Sequence, residues 1–188
     1  MFSQIKSHFI FNSLTAISDL CSENTEAQEA LAAFSDYLRV NMSSLNQKKL
    51  VPFDAELRHI KNYLWLEKLR FEERLQVIYD INSNDFKIPI LSVQPIVENA
   101  VSHGLFNKTG AGTIRIRTTE SEAEYIITVV DDGVGFDAES LNDNSRNFTG
   151  IENIKNCVVT MCSGTLVISS KPGIGTRVNI SIPKGGGS

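Results

Sequence analysis

The chain has 188 residues, enough for one good domain and a smaller appendage. Its 41% apolar and 21% charged residues are those of a soluble globular protein, and a net charge of −4 offers no basic surface for nucleic acid. No apolar run is long enough to span a bilayer, the first residues do not read as a signal peptide, and Cys21, Cys157 and Cys162 lack zinc spacing, which points to a reduced, cytoplasmic compartment.

In chain order, residues 1–21 read as a helix. Ile10, Leu14, Ile17 and Cys21 form an apolar seam, and His8, Asn12, Thr15 and Asp19 share a polar stripe. The pattern begins abruptly at Met1, as expected of a fragment excised from a longer protein. A short polar link at 22–25 leads to a second helix over 26–45, with Ala27, Leu31, Phe34, Tyr37 and Leu38 on its apolar side. Two such helices make an antiparallel hairpin, and pairing with a second copy would bury their remaining seams. After Leu50–Phe53 breaks the pattern, Asp54 is placed to cap a third helix running to about Phe71, with Leu57, Ile60, Leu64 and Phe71 inward. The period then changes: Leu75, Val77, Tyr79 and Ile81 alternate as a strand, and Pro89 is placed to start the next helix. Thr113–Thr119 alternates as an edge or half-exposed strand, and Tyr125–Val130 is a more buried one. Residues 137–149 are polar and irregular, and read as a mobile loop. A helical face at Ile151, Ile154, Val158 and Met161 precedes strands at 166–168 and 177–182, and Gly185–Ser188 reads as a tail. The fold class is therefore α+β: a helical hairpin over 1–46, then an α/β sandwich over 47–184 with a mixed sheet and helices on one face.

Three stretches carry chemistry. In Gln94–Gly104, QPIVENAVSHG, an apolar face alternates with Glu98 and Asn99, an acid and an amide able to offer oxygens to a hard cation. Asp131-Asp132-Gly133-Val134-Gly135 follows an apolar strand; a carboxylate there can accept from an exocyclic amine while the glycines turn the backbone beside a ligand. Gly173-Ile174-Gly175-Thr176 completes the series. Taken singly, these are a core helix, a turn and a hairpin.

Together and in this order, they resemble the asparagine box and glycine boxes of the GHKL ATP-binding superfamily, and Gly150-Ile151-Glu152-Asn153 resembles its second glycine box. The stretch QIKSHFIFNSL, residues 4–14, resembles the phosphoacceptor box of LytS-type sensor histidine kinases, with Ser7 and Ile10 as departures. The resemblance implies ATP and Mg2+ as ligands, with Asn99 on the metal and Asp131 reading adenine. Gly133, Gly135, Gly150, Gly173, Gly175 and Thr176 are implied around the nucleotide, with His103 as a further contact, since Ser102 stands where many members have lysine. It implies His8 as the phosphorylated residue, Asn12 orienting it one turn later, and Glu98 assisting proton transfer or a metal-bound water. The implied partners are a second copy through the hairpin and a response-regulator receiver domain, with no nucleic acid and no membrane in this stretch; the implied whole is an integral membrane sensor with this region in the cytoplasm. Two other readings stand beside it: a dimerisation module with vestigial ATP binding, and a gyrase- or MutL-like ATPase, against which Pro95 occupies the position of a catalytic glutamate.

Overall fold

The structure, a computed structural model, describes residues 14–15, 17–18, 21, 23–44, 48–137 and 149–185. His8 and Asn12 lie outside the described residues, as does most of the first predicted helix and all of the 137–149 loop but its ends. Residues 14–15 and 17–18 are helical.

Helix α1 is Thr25–Ser44. Asn24 caps it, its side-chain oxygen accepting the Ala27 N–H at 3.0 Å. A short strand β1, Leu50–Pro52, leads directly into helix α2, Phe53–Phe71. Asp54 is not the cap that its position suggests: Pro52 stands before the helix, and Asp54 sits in the first turn, accepting from Asn84 Nδ2 at 2.9 Å. Strand β2 is Leu75–Ile81 and β3 is Lys87–Pro89. The expectation that Pro89 opens the next helix is corrected, because β3 pairs antiparallel with β1 up to Pro89. Helix α3, Gln94–Asn99, starts five residues later with Pro95 in its first turn, where a missing N–H costs nothing.

The remaining elements are β4 Gly112–Glu120, β5 Glu124–Asp131, α4 Thr149–Cys162, β6 Thr165–Lys171 and β7 Gly175–Pro183. The main sheet runs β2-β4-β5-β7-β6, with β2 parallel to β4 and the other pairs antiparallel. β4 is thus interior rather than an edge strand; its half-exposure comes from the sheet's open face, where Arg115 and Arg117 stand. The other face carries Ile114, Ile116, Ile127, Val129, Val178 and Ile180, all buried. Against it pack Leu57, Ile60 and Leu64 of α2, Ile96 and Val97 of α3, and Ile154 and Val158 of α4. Each such side chain contributes about 1.5–3 kcal/mol by leaving water.

Tyr37 joins α1 to this body. Its ring stacks on His59 at 5.5 Å and Tyr63 at 5.8 Å. His59 is buried, with Asn41 Nδ2 3.5 Å from its Nε2. Burial pushes its pKa below the usual 6.5, partly offset by a hydrogen bond with Gln94. The unfolded chain therefore binds this proton first. The resulting stability is present above pH 6.5 and is lost as pH falls through the depressed folded value. Melting followed from pH 7.5 to 5.5 is expected to show a fall in Tm that is smaller in His59→Phe.

Candidate functional site

The geometry of α3 prepares one end of a cavity. The helix continues into a π-helix, Ala100–Leu105, in which the Phe106 N–H bonds to the Val101 carbonyl at 2.9 Å. Such widened turns cluster at functional sites. Asn99 and His103, four residues apart, face the same cavity with Ile96, Ala100 and Gly104. Glu98 turns the other way. Its Oε1 accepts from Tyr37 Oη at 3.0 Å and Gln94 Nε2 at 2.5 Å, so it faces α1 and does not line the cavity.

The floor comes from the end of β5. Asp131 is buried, and its Oδ1 accepts the Gly133 N–H at 2.9 Å. Burial pushes its pKa above the usual carboxylate range, opposed by the Gly133 and Thr176 N–H groups, while the charge of Asp132 adds to the rise. Asp132 itself is exposed. Although what burial it has raises its pKa, the Thr113 N–H at 2.8 Å and Lys108 Nζ at 3.0 Å hold it below the usual range.

Close approach explains the glycines here. A Cβ on Gly104 would lie 2.7 Å from Asp131 Oδ1, and one on Gly133 would lie 2.4 Å from the Gly104 carbonyl carbon. Gly175, at φ +120°, leaves 2.1 Å between a would-be Cβ and the Asp131 carbonyl oxygen. The β6–β7 turn holds the next segment from the other side, Gly173 N–H donating to the Val134 carbonyl at 2.7 Å.

Asn99, His103, Asp131, Gly135 and Thr176 thus line one cavity of about 210 Å³, walled by Ile96, Val129, Phe136, Ile151, Ile168 and Val178. Gly133 and Gly175 are not among its lining residues but pack against the Gly104 and Asp131 backbone, and Gly173 is in the turn. Gly150, beside the lining residue Ile151, opens α4, and a Cβ there would meet nothing within 4 Å. Sequence reasoning missed Gly104, Phe136 and Ile151 as site residues. Only the His103-Gly104 pair hinted at the first of them.

An apolar slot ending in a buried carboxylate takes a flat heterocycle bearing an amine. Asn99 supplies one neutral oxygen at the same cavity, and no group of three or more His, Cys, Asp or Glu among the described residues could hold a metal. Asn99 is the lining residue whose amide oxygen would suit a magnesium ion, which keeps several waters and is bound largely through substrate phosphates.

Comparison with known proteins agrees with this geometry. The family profile described as "Histidine kinase" matches residues 1–75. The profile described as "Histidine kinase-, DNA gyrase B-, and HSP90-like ATPase" matches residues 89–186. The chain is 39% identical over 187 residues to the uncharacterized protein YwpD of Bacillus subtilis (strain 168), covering 96% of this chain and 67% of that one. It is 36% identical over 159 residues to sensor histidine kinase YpdA of Escherichia coli (strain K12), covering 81% and 28%. To sensor protein LytS of Oceanobacillus iheyensis it is 29% identical over 172 residues, covering 85% and 29%. The chain therefore spans under a third of the named sensor kinases' length. Among solved structures, the histidine kinase domain of the Erythrobacter litoralis EL346 blue-light activated kinase shares the fold, with TM-score 0.56, 18% identity, and 94% and 85% of the two chains covered. Acinetobacter baumannii AdeS does so at TM-score 0.55 and 17% identity, covering 96% of each. The chain belongs to the histidine kinase-, DNA gyrase B- and HSP90-like ATPases, and among them to the LytS-type sensor histidine kinases.

Proposed function

We propose that this chain binds Mg2+-ATP in the Asn99–Asp131–Thr176 cavity and transfers the γ-phosphoryl group to His8. The single observation that carries the reading is the buried Asp131 carboxylate, held by the Gly133 N–H at the bottom of an apolar slot with Asn99 on its wall. Adenine enters the slot with its exocyclic amine on Asp131. Asn99 is the protein ligand that would hold magnesium, which neutralises the phosphates when bound. A neutral His8 ring nitrogen attacks the γ-phosphorus, the bond from that phosphorus to the β–γ bridging oxygen breaks, ADP leaves, and the ring proton passes to solvent. Asn12, four residues after His8 in the sequence, is assigned the orienting of the ring.

His103 lies one turn beyond Asn99 on the same wall and extends the contact toward the phosphates, as Gly150 does from the start of α4. Glu98 anchors α3 to Tyr37 in this arrangement; delivering it to the phosphates requires breaking that bond. The hairpin pairs with a second copy, and the phosphoryl group passes on to an aspartate of a response-regulator receiver domain. No helix among the described residues is long and apolar enough to cross a membrane, and we place any membrane anchor of the whole sensor outside this region.

The test is incubation with γ-labelled ATP and magnesium. Label that survives base, is lost in acid and falls at least about a hundredfold in His8→Ala is expected, since that variant removes the nucleophile to which the phosphoryl group is assigned. Acid-labile label persisting in that variant contradicts the assignment of the acceptor.

A further inference from the structure

Ser170, near the end of β6, touches three groups at the edge of the cavity. The Phe136 N–H donates to its Oγ at 2.9 Å. The same Oγ lies 3.0 Å from the Gly175 carbonyl oxygen and 3.0 Å from Thr176 Oγ1. Phe136 and Thr176 both line the cavity. Thr176 stands opposite Ser170 in the β6–β7 register and opposite Asp131 in the β5–β7 register.

The number of protons decides how these contacts are made. A serine hydroxyl has one proton, and a carbonyl oxygen can only accept. If Ser170 donated to Thr176, the Gly175 contact would be no hydrogen bond. All three contacts are hydrogen bonds in one arrangement only: Phe136 N–H donates to Ser170, Ser170 donates to the Gly175 carbonyl, and Thr176 donates to Ser170. Thr176 has then committed its proton, and its oxygen can meet a ligand only as an acceptor. The neighbouring Asp131 carboxylate is an acceptor as well. We infer that Ser170 is a positioning residue that fixes the hydrogen-bond polarity of the base end of the cavity, so that the site takes a 6-amino purine and rejects a 6-oxo purine. The inference rests on the nucleotide reading above and names what sets its selectivity.

The test is calorimetric titration of the wild-type chain with Mg-ADP and Mg-IDP, repeated on Ser170→Ala, Ser170→Thr and Thr176→Val. Wild type is expected to prefer ADP. In Ser170→Ala the Thr176 hydroxyl is released and can donate to an oxo group, so the ADP-to-IDP affinity ratio narrows by about three- to tenfold, the range of one neutral hydrogen bond. Ser170→Thr restores the ratio. Thr176→Val narrows it alone, and adding Ser170→Ala to that variant narrows it no further. A purely structural role would weaken both nucleotides together; an unchanged ratio in Ser170→Ala, or in Thr176→Val should the first variant not fold, overturns the inference. Wild-type protein that binds neither nucleotide overturns the nucleotide reading and the inference with it. Selective ADP binding with an unchanged variant ratio overturns only the role of Ser170.

Discussion

Gly133→Ala is expected to abolish measurable nucleotide binding and to lower the stability of the domain by about 2–4 kcal/mol. The added methyl would stand 2.4–2.5 Å from the carbonyl carbon, Cα and carbonyl oxygen of Gly104. Those are backbone atoms, so no side-chain rotation relieves the clash. The Val134 N–H bonds the same Gly104 carbonyl at 3.0 Å, which fixes the two segments in register. To admit the methyl, the β5 exit must move away from the π-helix. The Gly133 N–H then leaves Asp131 Oδ1, and the carboxylate loses the geometry that presents it to the base. Thermal melts and ADP titrations on the same preparation read the two effects. A variant that binds ADP within about twofold of wild type contradicts the claim that this contact shapes the site.

Glu56→Ala should be the most destabilising change away from the cavity, costing about 3–5 kcal/mol. Glu56 is 2% exposed. Its two oxygens accept the N–H groups of Leu91 at 3.0 Å, Val93 at 3.0 Å and Gln94 at 3.1 Å. It thus closes the start of α3 from a residue on α2, and it holds Leu91 at φ +56°, a conformation that costs a non-glycine residue energy. Truncation leaves three donors without an acceptor, two of them in buried bonds, each worth about 1–3 kcal/mol when unmade. Because α3 carries Asn99, nucleotide affinity should fall with stability. Glu56→Gln keeps one acceptor oxygen and should lose about half as much. Equal melting temperatures for wild type and Glu56→Ala would show that the α3 start is held by something else.

Much of this architecture is legible in the residues. The period-2 runs at 113–119 and 177–182 and the helical face at Ile151–Met161 each correspond to an element that packs as its pattern suggests. What escapes is what depends on partners distant in sequence. Pro89 invites a helix start by its fixed φ, but pairing with Leu50 claims it for a strand. Glu56 lies 35–38 residues from the N–H groups that it satisfies, so local pattern cannot reveal it. The cavity is half legible for the same reason. Asp131, Gly135 and Thr176 stand in motifs that name them, whereas the need for glycine at 104 exists only because β5 returns against the π-helix. Glu98 and Asn99 read as a pair along the sequence. Adjacent helical residues point about 100° apart, and here one faces the cavity and the other faces Tyr37.

The measurement that bears most directly on the central claim is calorimetric titration of the wild-type chain with Mg-ADP at neutral pH. The proposed function predicts one saturable site per chain, competed by ATP and sensitive to removal of magnesium. No heat, together with no displacement of a fluorescent adenine nucleotide at millimolar ADP, would contradict the assignment of this cavity as the nucleotide site.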